Sequence, residues 1–250
     1  MPIASASEPA QHRHAAIVAA VIPCLDEEDA IAAVVTGVLA QGIDEVIVVD
    51  GGSKDRTIER ARAAGARVVS EARRGYGRAI QHGIAAVRPD AEILVFLDGD
   101  GSDRPEMIPT LIAPLVAGHA VFVHGTRVRG AREPGSLSAQ QLIAGRVAQV
   151  LLRLVYGVGF TDMSPFRAIR RDELSKLGMR EATYGWNLEM LMRVAAAGLP
   201  ALEIPVGQRR RAGGVSKVSG NAVAGLEAAW SIATTFVRLA LTLRRESRSS

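Results

Sequence analysis

Short apolar runs alternate with longer amphipathic stretches along the first half of the chain. The short runs are rich in Val and Ile and are bounded by polar or turn-forming residues, which is typical of buried strands. They predict strands at residues 17–22, 46–49, 67–70, 92–97 and 120–123. The stretches between them have helical spacing and predict helices at about 28–39, 56–64, 78–87 and from 105 onward. This alternation predicts an α/β fold with a mostly parallel sheet and helices on both faces.

The second half of the chain has a less regular pattern. Two segments are rich in Gly and charged residues and predict loops, at 127–138 and 209–217. Helical spacing and one further apolar run predict helices at 142–158 and 186–197, a strand at 201–204, and an amphipathic helix at 230–243.

Composition indicates one globular domain with short extensions. The 250 residues are 48% hydrophobic and 22% charged, which is enough apolar sequence for one large core. We expect a loose tail at 1–15, a domain at 16–220, and an amphipathic helix with a polar tail at 221–250. We find no signal-peptide pattern and no run of roughly 18 apolar residues that would predict a transmembrane helix. Cys24 is the single cysteine, so we expect a cytoplasmic protein in which Cys24 is packed rather than nucleophilic.

The charge balance favours an anionic partner. The net charge is +4 and the pI is near 9.7, which suits a nucleotide, a lipid phosphate or an anionic membrane surface. Aromatic residues make up only 4% of the chain, so a stacking platform for nucleic acid is not expected.

Acidic residues follow three of the predicted strands in order. Glu27 comes after the first strand, Asp50 after the second, and Asp98 with Asp100 after the fourth. Ligands of open α/β sheets bind at the carboxyl ends of the strands. Two carboxylates as close as Asp98 and Asp100 repel each other, and a divalent cation relieves that repulsion while it binds phosphate oxygens. The pattern therefore predicts a nucleoside-diphosphate ligand held with Mg²⁺ or Mn²⁺.

Each of these motifs also has a purely structural interpretation. Asp50 and the glycines after it suit either a nucleoside contact or a helix-capping turn, and Glu27 suits an acidic first helical turn. The glycines around Tyr76, preceded by two arginines, suit either a nucleotide contact or a solvated basic turn. Asp98 and Asp100 alone suit a polar surface turn. The ordered series favours nucleotide binding.

Several motifs in a fixed order carry a resemblance to a known family. They are Val21-Ile22-Pro23 with Glu27, Val48-Val49-Asp50-Gly51-Gly52-Ser53 with Asp55, Gly75-x-Gly77, Asp98-Gly99-Asp100, Gly125-Thr126-Arg127, Thr161-Asp162 with Phe166-Arg167, Glu189, and Arg211-x-x-Gly214-x-Ser216-Lys217. With these motifs, residues 17–220 resemble family 2 glycosyltransferases of the GT-A fold. The chain is most similar to the polyprenyl-phosphate (dolichol-phosphate-type) hexose transferases.

The resemblance implies which residues bind the donor. The residues that correspond to the family's donor-nucleotide contacts are Pro23, Leu25, Glu27, Asp50, Gly75 and Asp98. Asp98 and Asp100 correspond to its metal ligands, with Mg²⁺ or Mn²⁺ as the ion. The family often has a second acid where this chain has Gly51, so the choice between UDP and GDP stays open.

The resemblance also implies an inverting displacement at the anomeric carbon of a nucleotide sugar. Arg211, Ser216 and Lys217, on the basic loop, are the expected phosphate contacts. A hydroxyl acceptor would need a base, for which Asp162 and Glu189 are the candidates. A phosphate acceptor is already ionised and would need a cation such as Arg127; Asp162 and Glu189 would then orient arginines.

Other acceptors and other activities stay open. The amphipathic segments 142–158 and 230–243 suit a peripheral membrane contact and a lipid acceptor, but they equally suit core packing or a homodimer interface. The alternatives are transfer to a soluble hydroxyl acceptor, a sugar nucleotidyltransferase, and a nucleotide-sugar-binding protein without turnover.

Overall fold

The structure is a computed structural model that describes residues 16–213 and 222–246. The tail expected at 1–15 and the phosphate contacts expected at Ser216 and Lys217 lie outside the described residues. Within the described residues, we find no helix with the length and apolar character needed to cross a bilayer.

Strands and helices alternate through most of the described chain. The strands are β1 Val18–Cys24, β2 Glu45–Asp50, β3 Arg67–Ser70, β4 Ile93–Phe96, β5 Phe122–Thr126, β6 Arg167–Arg170 and β7 Ala201–Pro205. The helices are α1 Ile31–Leu39, α2 Thr57–Ala63, α3 Tyr76–Ala86, α4 Ile108–Val116, α5 Ala139–Tyr156, α6 Arg171–Leu177, α7 Trp186–Ala196 and α8 Ala222–Glu246. A short 3₁₀ turn, Pro105–Met107, precedes α4.

The strands form one sheet in the order β3-β2-β1-β4-β6-β5-β7. β6 is antiparallel to both of its neighbours, and the other strand pairs are parallel. The predicted α/β fold with a mostly parallel sheet is therefore confirmed. β6 and α6 are additions that the apolar pattern did not predict, because β6 has only two apolar residues, Ala168 and Ile169, between two arginines.

Helices cover both faces of the sheet, as predicted. On β1, Val18, Ala20 and Ile22 face a cluster with α1 and α4. Ala19 and Val21 point to the opposite face and pack in a cluster with α3, α5, α7 and α8. This alternation follows from the period-two geometry of a strand whose two faces are both buried.

α5 begins three residues before the helix predicted from residue 142. Ser138 and Gln141 form a capping box, in which Ser138 Oγ accepts from the Gln141 N–H and Gln141 Oε1 accepts from the Ser138 N–H. α5 and α8 pack on each other, and both pack on α7.

The chain order reverses beside β1. Its neighbour on one side is β2 and on the other side is β4, so the loops after β1 and β4 flank a topological switch point. Ligands of doubly wound sheets bind in the crevice at such a point. The acidic turns after β1, β2 and β4 meet at this edge of the sheet.

Candidate active site at the carboxyl edge of the sheet

Two of the strand-end turns are joined by hydrogen bonds. The Asp26 N–H donates to Ser53 Oγ (2.9 Å), and the Lys54 N–H donates to Asp26 Oδ1 (2.8 Å). The Glu27 N–H donates to Thr57 Oγ1 (2.8 Å). Among the described residues, Asp26 is the one non-glycine with a positive φ, at 53°. These bonds place Glu27 beside the turn that follows Asp50, as the sequence predicted for adjacent parallel strands.

Asp50 is buried and forms its own turn. Its carboxylate accepts hydrogen bonds from the backbone N–H groups of Gly52 (2.9 Å) and Ser53 (3.2 Å). Asp50 therefore stabilises the turn that follows it, as its structural interpretation expects. A contact between Asp50 and a nucleoside stays a prediction. Pro23 lies in β1 opposite Val49, and Leu25 packs beside Gly51 at the same edge.

The turn after β4 holds three carboxylates close together. The Asp98 N–H donates to Asp103 Oδ2 (2.9 Å), and the Ser102 N–H donates to Asp100 Oδ1 (2.9 Å). The Tyr76 hydroxyl, at the start of α3, donates to Asp98 Oδ1 (3.3 Å). These hydrogen bonds hold the three carboxylates in one turn at the carboxyl end of β4.

The electrostatics of this turn favour a cation. Burial raises the pKa of Asp98 well above its usual range, and the charges of Asp100 and Asp103 add to the shift. Burial also raises the pKa of Asp103 to about 7. Asp103 Oδ1 is buried without a hydrogen-bond partner. Crowded carboxylate oxygens of this kind suit the hard ions Mg²⁺ and Mn²⁺.

A cation already lies against these acids. Nη1 of Arg211 is 3.0 Å from Asp100 Oδ2, and its Nη2 contacts Glu27 Oε1. In the part of the chain that the structure describes, no group of three His, Cys, Asp or Glu side chains is arranged to hold a metal ion. Asp98 and Asp100 could supply one or two carboxylates to an ion whose other ligands are phosphate oxygens, as is usual for Mg²⁺.

Arg127 and Asp162 form a buried bidentate pair. Nε and Nη2 of Arg127 donate to the two Asp162 oxygens at 2.6 and 2.7 Å, and the Arg127 and Met163 N–H groups donate to the same carboxylate. Burial alone would raise the pKa of Asp162, but the charge and hydrogen bonds of Arg127 outweigh it and lower this pKa to about 2. A carboxylate with so low a pKa is a weak base.

His124 lies behind this pair and is neutral. It is fully buried, and burial lowers its pKa to about 3, with the charge of Arg167 adding to the shift. The neutral ring is 3.0 Å from the Asp162 carbonyl oxygen through Nε2, which acts as the donor because a carbonyl only accepts. His124 therefore holds the backbone of Asp162 in place.

Both carboxylate oxygens of Glu189, the other candidate base, also accept hydrogen bonds within the protein. Glu189 is 1% exposed near the start of α7 and accepts from the N–H groups of Arg180 and Glu181 and from Arg193 Nε (2.8 Å). Its contacts position the segment before α7. Asp162 and Glu189 thus both bind arginines, as in the alternative in which they orient cations.

Another part of the chain's backbone packs closely against Gly75 and Gly77, the glycines around Tyr76. A Cβ on Gly77 would lie 2.1 Å from the Glu181 oxygen, and one on Gly75 would lie 2.4 Å from the Ala182 oxygen. The close approach that these glycines allow is therefore to the segment before α7, and the nucleotide contact of Gly75 stays a prediction. Tyr76, between the glycines, donates a hydrogen bond to Asp98. The ring of Tyr184 stacks on the ring of Tyr76, with the two centroids 5.7 Å apart.

Tyr76, Asp103 and Tyr184 lie at the candidate site, although the sequence analysis assigned none of them to it. The position of Asp103, three residues after Asp100, was the one signal in the sequence. Nothing in the sequence pairs Tyr76 with Tyr184, because their contact depends on a segment more than 100 residues away in the chain.

The chain is similar in sequence to known glycosyltransferases. A family model described as glycosyl transferase family 2 matches residues 19–178. An uncharacterized glycosyltransferase of Mycobacterium tuberculosis is 37% identical over 209 residues, which cover 82% of this chain and 90% of that protein. A dolichyl-phosphate hexose transferase of Haloferax volcanii is 35% identical over 199 residues, which cover 78% of this chain and 84% of that protein.

A solved structure extends the comparison to the whole fold. The crystal structure of glucosyl-3-phosphoglycerate synthase from M. tuberculosis, in complex with Mn²⁺, UDP-glucose and phosphoglyceric acid, superposes with a TM-score of 0.70. The two chains are 25% identical, and the alignment covers 90% of this chain and 80% of that one.

Proposed function

The chain belongs to glycosyl transferase family 2, and on this premise we propose that it transfers a hexose from a UDP-sugar to the phosphate of a polyprenyl phosphate. The single observation that carries the choice of a phosphate acceptor is that both candidate bases are already bound to arginines. The donor and the acceptor are argued separately below.

The donor half of the proposal rests on the switch-point crevice. Pro23, Leu25, Glu27 and Asp50 lie at the carboxyl edge of β1 and β2, where they would contact the nucleoside. Gly75, next to Tyr76, would be a further contact. Asp98 and Asp100 would hold Mg²⁺ or Mn²⁺, which offsets the charge of the departing diphosphate when bound. UDP is preferred over GDP because the superposed synthase binds UDP-glucose with Mn²⁺.

The acceptor half rests on protonation. A hydroxyl acceptor must lose a proton as it attacks, whereas a phosphate monoester, with a second pKa of about 6, is already a dianion at neutral pH. Asp162 has a pKa of about 2 and is held by Arg127, and the Glu189 oxygens accept three hydrogen bonds. An acceptor that needs no base fits this arrangement.

Arg127 would supply the fixed positive charge for that acceptor. Burial lowers its pKa, but the charge of Asp162 outweighs this effect, so the guanidinium stays ionised with its pKa raised. The phosphate oxygen of the acceptor then forms a bond to the anomeric carbon as the bond from that carbon to the diphosphate oxygen breaks. UDP leaves with the electron pair, and a single displacement inverts the anomeric centre.

Exposed apolar side chains on two packed helices support a lipid acceptor. We call these side chains the α5–α8 face: Ile143, Val150, Leu154, Val155, Trp230, Val237 and Leu241. Leu154 is 77% exposed and Trp230 is 73% exposed. α5 and α8 pack on each other and on α7, so these exposed side chains belong to two neighbouring helices. Exposed Arg146 and Arg153 on α5 suit an anionic lipid surface.

A small soluble phosphate is the second candidate acceptor. The specific observation is that a glucosyl-3-phosphoglycerate synthase of Mycolicibacterium paratuberculosis is 42% identical to this chain over 118 residues, although these cover only 42% of it. Both candidates carry a phosphate monoester, but 3-phosphoglycerate also carries a hydroxyl and a carboxylate, so the atom that receives the sugar distinguishes them as well as the lipid chain.

A transfer assay tests the proposal. UDP-glucose and GDP-mannose would each be offered with a short polyprenyl phosphate, the matching polyprenol, or 3-phosphoglycerate, with Mn²⁺ or with EDTA. We expect sugar transfer from the UDP-sugar to polyprenyl phosphate only, with loss of transfer in EDTA and an inverted anomeric centre by NMR. Transfer to a hydroxyl, of the polyprenol or of phosphoglycerate, would contradict the absence of a base. Transfer to the phosphate of phosphoglycerate alone would select the soluble acceptor.

A further inference from the structure

Arg211 joins two acids that come from different turns of the site. Its guanidinium contacts Asp100, after β4, at 3.0 Å and Glu27, after β1, through its other terminal nitrogen. The side chains of Glu27 and Asp100 are only 10% and 9% exposed, whereas Arg211 is 28% exposed. A single guanidinium thus bridges the two carboxylates that flank the switch point and offsets part of their charge.

The backbone that carries Arg211 is anchored independently of its side chain. The Ala212 N–H donates to the Asp100 carbonyl oxygen (3.1 Å), and the Arg209 N–H donates to the Ser102 carbonyl oxygen (2.9 Å). Gln208 Nε2 donates to Ser102 Oγ (3.1 Å). The guanidinium can therefore change its partner while residues 208–212 remain against the acidic turn.

A divalent ion and this guanidinium compete for the same oxygen. An ion bound by Asp100 would lie about 2.1 Å from a carboxylate oxygen, inside the volume that Arg211 fills. An ion that binds alone must displace Arg211 and leave its charge without a partner. A nucleoside diphosphate that arrives with the ion gives the guanidinium a new anionic partner at hydrogen-bond distance.

We propose that Arg211 is the resident counter-ion of the donor site and that it exchanges Glu27 and Asp100 for the diphosphate when metal and donor bind together. This inference rests on the proposed donor site. The exchange makes metal binding and nucleotide binding favour each other. Each ligand lowers the free-energy cost of displacing Arg211 that the other ligand would otherwise meet. Metal alone binds weakly, and metal with nucleotide binds cooperatively.

Arg209 provides a matched control on the same segment. It lies two residues before Arg211, and its guanidinium contacts Glu106 instead of the site acids. Arg209→Gln and Arg211→Gln remove the same charge from neighbouring positions. Arg211→Lys keeps the charge and a donor for Asp100, so it reports whether the charge itself excludes the ion.

The experiment is a Mn²⁺ titration followed by electron paramagnetic resonance, without nucleotide and then with UDP, on folded protein verified by thermal unfolding. Without nucleotide, we expect Arg211→Gln to bind Mn²⁺ about tenfold more tightly than the wild type, with Arg209→Gln and Arg211→Lys near the wild type. With UDP, the enhancement of Mn²⁺ affinity should be smaller in Arg211→Gln than in the wild type by about the same factor.

Two results would overturn the exchange. Equal changes in Arg211→Gln and Arg209→Gln would reduce the effect to net charge, and an unchanged Mn²⁺ affinity in Arg211→Gln would show that the guanidinium does not occupy the cation position. The titration without nucleotide decides this even if no sugar is transferred, so failure of the proposed function and failure of the exchange are distinguishable.

Discussion

Gly99, between the two site acids, has a packing reason to be glycine. A Cβ at this position would lie 2.2 Å from Cys24 Sγ, whereas its next neighbours, on Ile22 and Ile31, would be at 3.4 Å. The thiol is buried, and burial raises its pKa well above the usual range, which agrees with the expectation of a packed rather than nucleophilic cysteine. The Asp98-Gly99-Asp100 spacing therefore depends on the contact between β1 and the turn after β4.

The contact between Gly99 and Cys24 predicts that substitutions at these two positions are coupled in their effect on stability. Gly99→Ala should lower the free energy of unfolding by about 1–3 kcal/mol through overpacking against the thiol. Cys24→Ala removes the clashing sulfur, so the double variant should be more stable than the sum of the two single changes predicts. Urea denaturation of the four proteins measures this coupling. Strict additivity would contradict the contact.

At the residue scale, the sequence indicated the acids but could not supply their partners. Glu27, Asp50, Asp98 and Asp100 were visible because each lies within three residues of the end of an apolar run. Arg127 pairs with a carboxylate 35 positions away, so no local pattern distinguishes a base from an arginine's counter-ion at Asp162. That distinction, on which the nature of the acceptor depends, needed the three-dimensional contacts.

At the scale of elements, α5 and α8 present an apolar surface that the core does not use. Their inner sides contribute Ala148, Leu152, Phe236 and Leu239 to the core, while the α5–α8 face stays exposed. The sequence predicted amphipathic helices here but could not decide what covers the second apolar side. An anionic lipid surface is the occupant that agrees with the proposed acceptor.

Flotation with liposomes tests this surface. Wild-type protein should float with vesicles that contain phosphatidylglycerol, and Leu154→Asp combined with Trp230→Asp should stay in the soluble fraction because both changes place charge on the α5–α8 face. Val116→Asp, on an equally apolar exposed position of α4 across the sheet, is the control and should float. Wild-type protein that never floats would contradict the membrane contact, and a dimer lost in the double variant would identify a homodimer interface instead.

The sequence predicted most elements because most strands are continuous apolar runs. The apolar pattern did not predict β6, because its two apolar residues lie between Arg167 and Arg170. Arg167 is nevertheless fully buried, with its guanidinium over the ring of Trp186. A buried arginine that donates to the carbonyl oxygens of Ser164, Pro165 and Asn187 looks polar in sequence and is interior in the fold. Periodicity alone cannot anticipate such tertiary compensation.

At the scale of the molecule, one segment connects the donor site to the α5–α8 face. Residues 180–185 accept hydrogen bonds from the first turn of α3, where the Gly77 N–H donates to the Thr183 oxygen (3.2 Å). The same segment is tied to α8 through the Glu181–Arg238 ion pair. Tyr76 at the start of α3 donates to Asp98, so residues 180–185 support both the acidic turn and α8.

The proposed metal-dependent site for a nucleotide sugar lies at the edge of the sheet at β1, β2 and β4. Asp100 is its most informative residue, since it contacts the guanidinium of Arg211 and lies in the acidic turn. Asp90, an exposed aspartate just before β4 at the opposite end of that strand, provides a control of the same residue type.

Calorimetric titration with UDP-glucose tests this site, with and without Mn²⁺, on the wild type, Asp100→Ala and Asp90→Ala. We predict binding that requires Mn²⁺, is lost in Asp100→Ala and is retained in Asp90→Ala. Binding that is independent of Mn²⁺ and unaffected by Asp100→Ala, or no binding of UDP-glucose by the folded wild type, would contradict a metal-dependent nucleotide-sugar site here.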